Sequence, residues 1–281
     1  MSRISVVVCT LNSMSSIVSC VEQLQKIKDV NQIIIVDGGS TDGTLEYIKT
    51  QDCQILFDLG QGLGAARNLG LSIVSSEFVL NCGADNVMNE KLVNKMLLTL
   101  SSEPHLLGVG CRTSVADGGT LGKILDIQWS ARITAGKKEV IGTPSLFKTQ
   151  LLKKYQFSEA RTWSDDEELC TRMKLGEGGD FKVIDAFCLE VGQSELRKLR
   201  YRYLGYGKSD FEVWKANSGD WTILRRFQSL LHPFKSEFLS ILKNTRHSER
   251  LMILPLLFFS TFNRYLGWLL TAILNRKRNV G

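Results

Sequence analysis

The chain has 281 residues, of which 43% are hydrophobic and 23% charged. A chain of this length can bury a sizeable core, either as one large domain with an appendage or as two small domains. It is therefore not a small protein that needs additional cross-links to fold. Its formal net charge of +6 conceals an asymmetry, because residues 1–196 carry 19 Lys and Arg against 24 Asp and Glu, whereas residues 197–281 carry 16 against 5. The basic, aromatic-rich end predicts contact with something anionic, either a phospholipid surface or nucleic acid.

The seven cysteines are scattered, and they form no CxxC or His-paired metal spacing. This pattern favours reduced, mostly buried thiols in a cytosolic protein. The N-terminus lacks a signal-peptide pattern, because its short apolar run ends at residues 10–12. We therefore expect the protein to act on the cytoplasmic side.

Short apolar runs alternate with segments of helical periodicity along the first part of the chain. Strands are predicted at residues 4–9, 32–37, 54–60, 78–81 and 107–112, and helices at residues 17–24, 44–50, 62–75 and 89–100. This alternation implies an α/β fold with a mostly parallel sheet covered on both faces. Ligands of such sheets bind beyond the carboxyl ends of the strands, so polar residues there are the first site candidates.

The following segment is less regular. The predictions are a loop with a short helix at residues 113–135, a turn running into a helix at 142–152, a helix with an acidic first turn at 163–174, and a last strand at 181–189. Beyond Ser194 the sequence changes to Arg, Lys, Tyr and Trp without strand signals. We therefore place a boundary near Gln193, between a domain of residues 1–193 and a helical region of residues 194–281.

Three polar segments have both an ordinary and a functional interpretation. Asp37 opens DGGSTDGT, where its carboxylate could accept hydrogen bonds from a ligand, although a turn capped by Ser40 or Asp42 explains the segment as well. Residues 60–70 match G-x-G-x-x-A, but that dinucleotide fingerprint normally closes the first βα unit. Arg67 within it is better explained as a phosphate ligand. Asp85 and the acidic run at 165–168 could equally be solvated surface acids.

In their order and separation, TLNS, VDGGSTDGT, GLGAARNLGL, EFVLNCGADN, GTPSLF and WSDDEELCTRM resemble the family 2 inverting glycosyltransferases of GT-A fold. The resemblance extends over about residues 4–190. It implies a GT-A type, Rossmann-like mixed sheet flanked by helices. It also implies transfer of a sugar from a nucleotide diphosphate sugar, assisted by Mg²⁺ or Mn²⁺.

The resemblance assigns roles to individual residues of this chain. Asp166 corresponds to the catalytic base, and Trp163 and Asp165 lie on the acceptor side. Asp85 corresponds to the last metal-coordinating carboxylate, with Glu190 as a further candidate ligand. The donor-binding residues implied are Thr10, Asn12, Asp37, Arg67, Asn68 and Asp85.

The sequence departs from the family pattern at several of these places. Gly83 stands where the metal motif usually has its first acid, and Asn86 follows Asp85 where a second acid is common. Gly38 replaces the second acid of the VDDGS loop, and Leu11 replaces an aromatic residue. A lone carboxylate completed by substrate phosphates and water is nevertheless an acceptable Mg²⁺-type shell.

The C-terminal region contains a nearly membrane-length apolar segment, residues 251–274, interrupted by Asn263 and Arg264. Its polar stripe fits a helix or hairpin lying in the interface of an anionic membrane, with a true span and a packed helix as alternatives. That stripe consists of Ser260, Arg264, Gly267, Thr271 and Asn275. Residues 196–215 match no RNA-binding signature, so we expect no nucleic-acid partner.

The overall prediction is a membrane-associated enzyme at the cytoplasmic face, using a UDP-sugar and a glycan or lipid-linked acceptor in glycoconjugate or polysaccharide biosynthesis of the cell envelope. A homodimer is compatible with this prediction. The absence of a QxxRW-like motif favours a single transfer. The alternatives are a non-catalytic sugar-nucleotide-binding or scaffold subunit of the same fold and, less favoured, a nucleotidyltransferase or dehydrogenase.

Overall fold

A computed structural model describes residues 4–58, 60–159 and 165–278. The chain divides into two compact units, one of residues 1–116 and 133–192 and the other of residues 117–132 and 193–281. Residues 117–132 therefore group with the C-terminal residues, although they precede the predicted boundary near Gln193 in the chain.

The first unit is built on one mixed sheet. Its strands among the described residues are β1 (Ile4–Thr10), β2 (Val30–Asp37), β3 (Gln54–Phe57), β4 (Phe78–Gly83), β5 (Asn86–Val87), β6 (Leu106–Val115), β7 (Gly136–Lys138), β8 (Ser145–Lys148) and β9 (Asp180–Glu190). They lie in the order β3-β2-β1-β4-β8-β6-β9-β5, with β7 paired to β9. The first four are mutually parallel, and β8 is antiparallel to both of its neighbours.

Helices cover both faces of this sheet. They are α1 (Met14–Leu24), α2 (Thr44–Ile48), α3 (Leu63–Ser72), α4 (Glu90–Ser102), α6 (Thr149–Tyr155) and α7 (Asp165–Glu177), while α5 belongs to the second unit. One apolar core packs α1 and α4 on one face, and a second core packs α3, α6 and α7 on the other. The predicted α/β mixed sheet flanked by helices is confirmed.

The strand register brings the predicted polar segments together. Thr10 at the end of β1 lies opposite Asp37 at the end of β2, and Asp37 lies opposite Phe57 at the end of β3. On the other side of β1, Cys9 lies opposite Gly83. Because parallel strands end at the same edge, the residues that follow them share one site.

The structure differs from the prediction after residue 113. Ser145–Lys148, predicted as a turn entering a helix, is a strand, because Leu146 and Phe147 are buried between β4 and β6, and the helix begins only at Thr149. The predicted loop with a short helix is instead the end of β6 followed by a 14-residue helix, α5 (Gly119–Arg132). Tertiary packing decides such short apolar segments, which have no clear period of their own.

The second unit is helical among its described residues. It contains α5, α8 (Leu196–Asn217), α9 (Ile223–Phe234), a π-helical segment (Lys235–Leu239), α10 (Ser240–Asn244), a short 3₁₀ turn (His247–Glu249) and α11 (Arg250–Arg278). The long predicted C-terminal apolar helix is therefore present as α11. Helices α8 and α11 touch through their backbones, because a Cβ at Gly207 would collide with the Arg264 carbonyl oxygen and one at Gly267 with that of Leu204.

The polar stripe of α11 faces inward. Arg264 is 9% exposed, and its guanidinium binds Asp210 at 2.6 and 2.8 Å and Glu237 at 2.7 Å. Arg132 also pairs with Glu237. The charge that interrupts the apolar sequence is therefore neutralised within this unit, and the opposite side of α11 carries apolar side chains.

Candidate active site

The loops after β1 and β2 are held together by hydrogen bonds. The fully buried carboxylate of Asp37 accepts from the Gly39 and Ser40 amides at 2.9 and 2.8 Å and from the Ser40 hydroxyl at 2.6 Å. Asn12 donates its amide to Ser40 Oγ and accepts from the Thr41 amide, both at 2.9 Å. Both side chains therefore shape the loop, and the donor-binding roles that the resemblance gives them stay predictions.

A cavity of about 260 Å³ opens at the ends of the first three strands. Apolar and small side chains dominate its wall, which is the usual character of a small-molecule site. Burial raises the pKa of the Cys9 thiol to about 12, so this wall residue is neutral. The lining residues are Cys9, Thr10, Leu11, Val36, Gly38, Asp58, Gly60, Gly62, Leu63 and Ala66.

Arg67, one residue beyond the cavity wall on α3, joins two aspartates at the start of α7. Its Nη1 pairs with Asp165 and, at 3.1 Å, with Asp166, while Nη2 donates to Thr143 Oγ1 at 2.7 Å. The guanidinium stacks on Phe157, with its carbon 4.8 Å from the ring centroid. Arg67 thus fixes both carboxylates in the described structure, and its predicted role as a phosphate ligand stays a prediction.

The two aspartates differ in exposure and therefore in what they can do. The Asp165 side chain is 6% exposed, whereas that of Asp166 is 28% exposed. Burial raises the pKa of Asp166 to about 6, with Arg67 lowering it and Asp165 raising it further. A carboxyl group with such a pKa is suited to general base catalysis near neutral pH. For Arg67, burial lowers the pKa, but the two aspartates outweigh this effect and the net shift is upward.

Asn68 stabilises the segment that supports Arg67. Its side-chain amide donates to the Phe157 carbonyl at 2.9 Å and to Glu159 at 3.0 Å, and its oxygen accepts from the Phe157 amide at 2.8 Å. Asn68 therefore positions the residue that stacks on the guanidinium, and its predicted contact with the donor stays a prediction. Trp163, predicted on the acceptor side, lies outside the described residues.

Asp85 lies in the turn between β4 and β5. Asn86 Oδ1 accepts from the Gly83 amide at 2.8 Å, and the Asp85 carbonyl accepts from the Val191 amide at 3.0 Å. β5 pairs Asn86 with Glu190, so Glu190 lies opposite the residue that follows Asp85, and the two predicted metal ligands are close in the fold. A Cβ at Gly83 would collide with Oδ1 of Asp85, so the glycine leaves room for that carboxylate.

The turn between β4 and β5 offers few protein ligands for the predicted metal ion. Within residues 4–58, 60–159 and 165–278, no three His, Cys, Asp or Glu side chains converge to hold an ion. The hard oxygen of Asp85 suits Mg²⁺ or Mn²⁺, which accept one carboxylate when substrate phosphates supply further ligands. The residues therefore fit an ion shared with a bound diphosphate rather than one held by the protein alone.

The fold and the strand-end site define an α/β protein with a cavity at the strand ends and, next along α3, an arginine that holds one buried and one partly exposed aspartate. The chain belongs to glycosyl transferase family 2, whose family model matches residues 5–158. EpsH of Bacillus subtilis (strain 168), named as a glycosyltransferase, is 31% identical over 110 residues, which are 37% of this chain and 32% of that protein. The match thus spans about a third of this curated relative's length.

Solved structures show that the fold is GT-A-like. S. aureus TarS (residues 1–349), in complex with UDP-GlcNAc, superposes with a TM-score of 0.55 at 14% identity, over 98% of this chain and 92% of that one. The mannosyltransferase PcManGT from Pyrobaculum calidifontis, in complex with GDP-Man and Mn²⁺, superposes with a TM-score of 0.59 at 16% identity, over 97% of this chain and 86% of that one. At these identities the likeness establishes the fold alone.

Three residues of this region, Asp58, Thr143 and Phe157, were not predicted as site residues. Asp58 directly follows β3, so the same strand-end rule that selects Asp37 and Asp85 could have selected it. Thr143 lies in the GTPSLF segment, but no role was assigned to it, and no local signal marks Phe157. Both become relevant through their contact with Arg67.

Proposed function

We propose that this protein transfers a sugar from a nucleotide diphosphate sugar, with inversion at the anomeric carbon, to a glycan or lipid-linked acceptor. The observation that carries the proposal is the partly exposed Asp166 carboxylate, held by Arg67 beside a cavity at the ends of β1 to β3. Family membership supports the reaction class. We take a UDP-sugar as the first donor to test and expect a role in biosynthesis of cell-envelope glycoconjugates.

The chemistry follows from the carboxylate. Asp166 removes the proton of an acceptor hydroxyl while that oxygen attacks the anomeric carbon, and the bond from this carbon to the diphosphate oxygen breaks. Attack opposite the leaving group inverts the anomeric centre. Arg67 keeps Asp166 in position, and Thr143 accepts a hydrogen bond from the other terminal nitrogen of Arg67. Both aspartates raise the pKa of Arg67, which keeps it charged. A divalent ion bound by Asp85 and the donor phosphates would neutralise charge on the leaving diphosphate.

A thermal-shift panel of UDP-, GDP- and dTDP-sugars, with and without Mn²⁺ or Mg²⁺, tests donor binding. At least one donor should stabilise the protein by mass action, and the stabilisation should be larger with the metal. Asp85→Ala should abolish the metal-dependent part, whereas Asp52→Ala, which removes an exposed carboxylate of the same unit, should retain it.

Failure of every donor to stabilise the wild-type protein would favour a scaffold subunit of the same fold. This second candidate is motivated by Gly83, which stands where the family's metal motif usually has its first acid. If Asp85→Ala kept the full metal-dependent stabilisation, Asp85 would not be the metal ligand. The proposal that the protein binds the sugar donor would still stand.

We further propose that the second unit docks on an anionic membrane. Its α9 and α11 lie side by side, since the Tyr265 hydroxyl of α11 donates to the Leu230 carbonyl of α9 at 2.9 Å. Phe238 of the π-helical segment that follows α9 also stands edge-on to Phe258 of α11, at 5.0 Å between centroids. We call the exposed apolar residues of these two helices the apolar face. It comprises Ile223, Leu224, Phe227, Leu230, Phe258, Phe262, Leu269, Leu270, Ile273 and Leu274, each at least 41% exposed.

Charge and length support this docking. Residues 197–281 carry 16 basic against 5 acidic residues, and Arg225 and Arg226 are exposed on α9 beside the apolar side chains. Such amphipathic, basic helices bind anionic lipid surfaces. Among the described residues, one helical stretch, His247–Asn275, is also long and apolar enough to cross a membrane by length and composition alone. Because the apolar face includes residues of α9 as well as α11, we favour insertion of both helices into one leaflet over a membrane span by α11 alone.

Vesicle co-sedimentation tests the membrane proposal. The double variant Phe258→Ser and Phe262→Ser should weaken binding to phosphatidylglycerol vesicles by about tenfold or more, because two large exposed apolar side chains are lost. The matched double variant Leu98→Ser and Leu175→Ser removes exposed leucines of the first unit and should bind as the wild type does. Unchanged binding of the phenylalanine variant would refute the proposal. Resistance to carbonate extraction would indicate a span, and release by high salt would indicate peripheral docking.

A further inference from the structure

A second cavity of the first unit, of about 390 Å³, lies beside α3 and the end of β3. We call it the outer cavity. Four residues on one face of α3 form a wall of it, namely Ala65, Asn68, Leu69 and Ser72. Arg67 projects from the opposite face of this helix, because successive residues are about 100° apart, and there it holds Asp166. Asp58 lines both this cavity and the strand-end cavity, so the two are neighbours. The outer cavity is therefore beside the strand-end cavity but away from the carboxylate that is proposed as the base.

The outer cavity combines an apolar patch with polar side chains. Phe57 ends β3, which is an edge strand of the sheet, and the residue is 49% exposed. Leu69 lines the same cavity from α3. The other lining side chains are mostly amides, a hydroxyl and carboxylates, and among the described residues that line the cavity none is Lys, Arg or His. Its volume is within the range of small-molecule sites.

The segment that follows α6 forms another wall, and its backbone is held firmly. Asn68 joins this segment to α3, since its side-chain amide donates to Glu159 at 3.0 Å. Gln156 has a φ of +53°, a left-handed conformation that residues other than glycine rarely adopt. Its amide donates to the Leu152 carbonyl at 2.8 Å, and its carbonyl accepts from Arg172 at 2.7 Å. These contacts hold Gln156 at the cavity in a conformation that is typical of functional positions.

The lining side chains define the class of ligand. Asp58 and Glu159 both line the cavity and would repel an anion. A wholly apolar molecule would leave the amides of Gln61 and Gln156 without partners. A metal ion would have too few ligands, because the described part of the chain brings no three His, Cys, Asp or Glu side chains together. A neutral saccharide fits both features, since its ring has an apolar C–H face and its hydroxyls can donate to carboxylates and accept from amides.

We propose that the outer cavity binds a neutral saccharide, with the C–H face of a sugar ring against Phe57 and its hydroxyls bonded to Gln156 and Glu159. This inference goes beyond the proposed function, because binding there requires neither the sugar donor nor the metal ion. The cavity lies on the side of α3 away from Asp166, so it holds a part of a glycan that does not react. A glycan bound there stays on the protein independently of the transfer step.

A ligand-observed NMR titration of the full-length protein with cellohexaose, maltohexaose and chitohexaose, without donor or metal, tests the inference. At least one of these neutral oligosaccharides should bind with a Kd of about 1 mM or lower. An oligomer of galacturonic acid of the same length should bind at least about tenfold more weakly, because the carboxylates of the cavity repel it.

Two variants test the residues of the cavity. Gln156→Gly removes the side chain and suits the left-handed backbone, so it should fold and melt as the wild type does. This variant and Phe57→Ala should each weaken binding of the preferred saccharide by about fivefold or more, because a hydrogen-bonding group or the apolar surface is lost. Leu98→Ala, which removes an exposed leucine of α4, should bind as the wild type does.

Asp166→Asn should also keep the wild-type affinity for the saccharide, because Arg67 holds Asp166 on the other side of α3. Loss of binding in this variant would place the saccharide beside the base and overturn the inference. Unchanged affinity in both Gln156→Gly and Phe57→Ala would overturn it too, as would a wild-type protein that binds none of the neutral oligosaccharides. Each of these results leaves the proposed function standing, since donor binding is measured separately by thermal shift.

Discussion

Asp166→Asn is expected to lower turnover by at least about 100-fold, because it removes the group that accepts the acceptor's proton. Donor affinity should change little, since no described contact of Asp166 involves the strand-end cavity. Asparagine has the same shape, so it can still accept from Arg67 Nη1, which lies 3.1 Å from Oδ1 of the aspartate. Steady-state kinetics together with donor titration separate the two effects.

The pH dependence gives a second readout of the same residue. A base must be ionised to act, and burial raises the pKa of Asp166 to about 6. Wild-type kcat/KM should therefore fall as the pH drops through about 6 and level off above it, because this quantity reports the free enzyme's groups. The residual activity of Asp166→Asn should lack this acid limb.

Glu167→Gln is the matched control for this substitution. It neutralises an exposed carboxylate on the same turn of α7, and it should keep wild-type turnover and the acid limb. A variant Asp166→Asn with wild-type turnover would show that another group accepts the proton, whereas lost donor binding with intact turnover would move Asp166 to the donor side.

The strand-end residues could be predicted because they follow from a simple rule of parallel sheets. Asp37 and Asp85 follow apolar runs, and the observed register of β1 with β2 and with β4 brings both to one edge. The antiparallel strand β8 could not be predicted in this way. Its first three residues, Ser145, Leu146 and Phe147, are buried between β4 and β6, and their conformation depends on partners distant in the chain.

The sequence pattern around Arg67 does not determine which residues its guanidinium contacts. Its position in a glycine-rich strand-to-helix segment favours a phosphate ligand, yet its guanidinium pairs with carboxylates about a hundred residues further along the chain. The polar stripe of α11 is a similar case. A helical projection of the sequence shows that the polar residues form a stripe, but it does not show which side of the helix packs against the protein. In the structure, α8 packs against the polar stripe.

Arg67→Met is expected to raise the pKa of Asp166 above its wild-type value of about 6, because the guanidinium is the neighbour that lowers it. The acid limb of kcat/KM should therefore move to higher pH. The substitution also leaves Asp165 buried without its cation, and breaking such a pair costs roughly 3–5 kcal/mol. We thus expect a lower melting temperature as well as lower turnover at neutral pH.

The pH dependence of this stability loss has a definite sign. A carboxyl group whose pKa is raised in the folded state destabilises the fold when it is ionised there, at pH values above its unfolded pKa. The deficit of Arg67→Met should therefore be largest near neutral pH and shrink as acid protonates Asp166. Chemical denaturation at several pH values measures this change.

Lys154→Met is the matched loss of a positive charge. Its ion pair with Glu177 is on the surface, where the lysine side chain is 64% exposed, and such pairs contribute about 0–1 kcal/mol. This control should keep the wild-type acid limb. If Arg67→Met also kept that limb but lost donor affinity, the guanidinium would act on the donor phosphates, as the sequence pattern predicts. A shifted limb with unchanged donor affinity would instead identify Arg67 as the residue that positions and tunes the base.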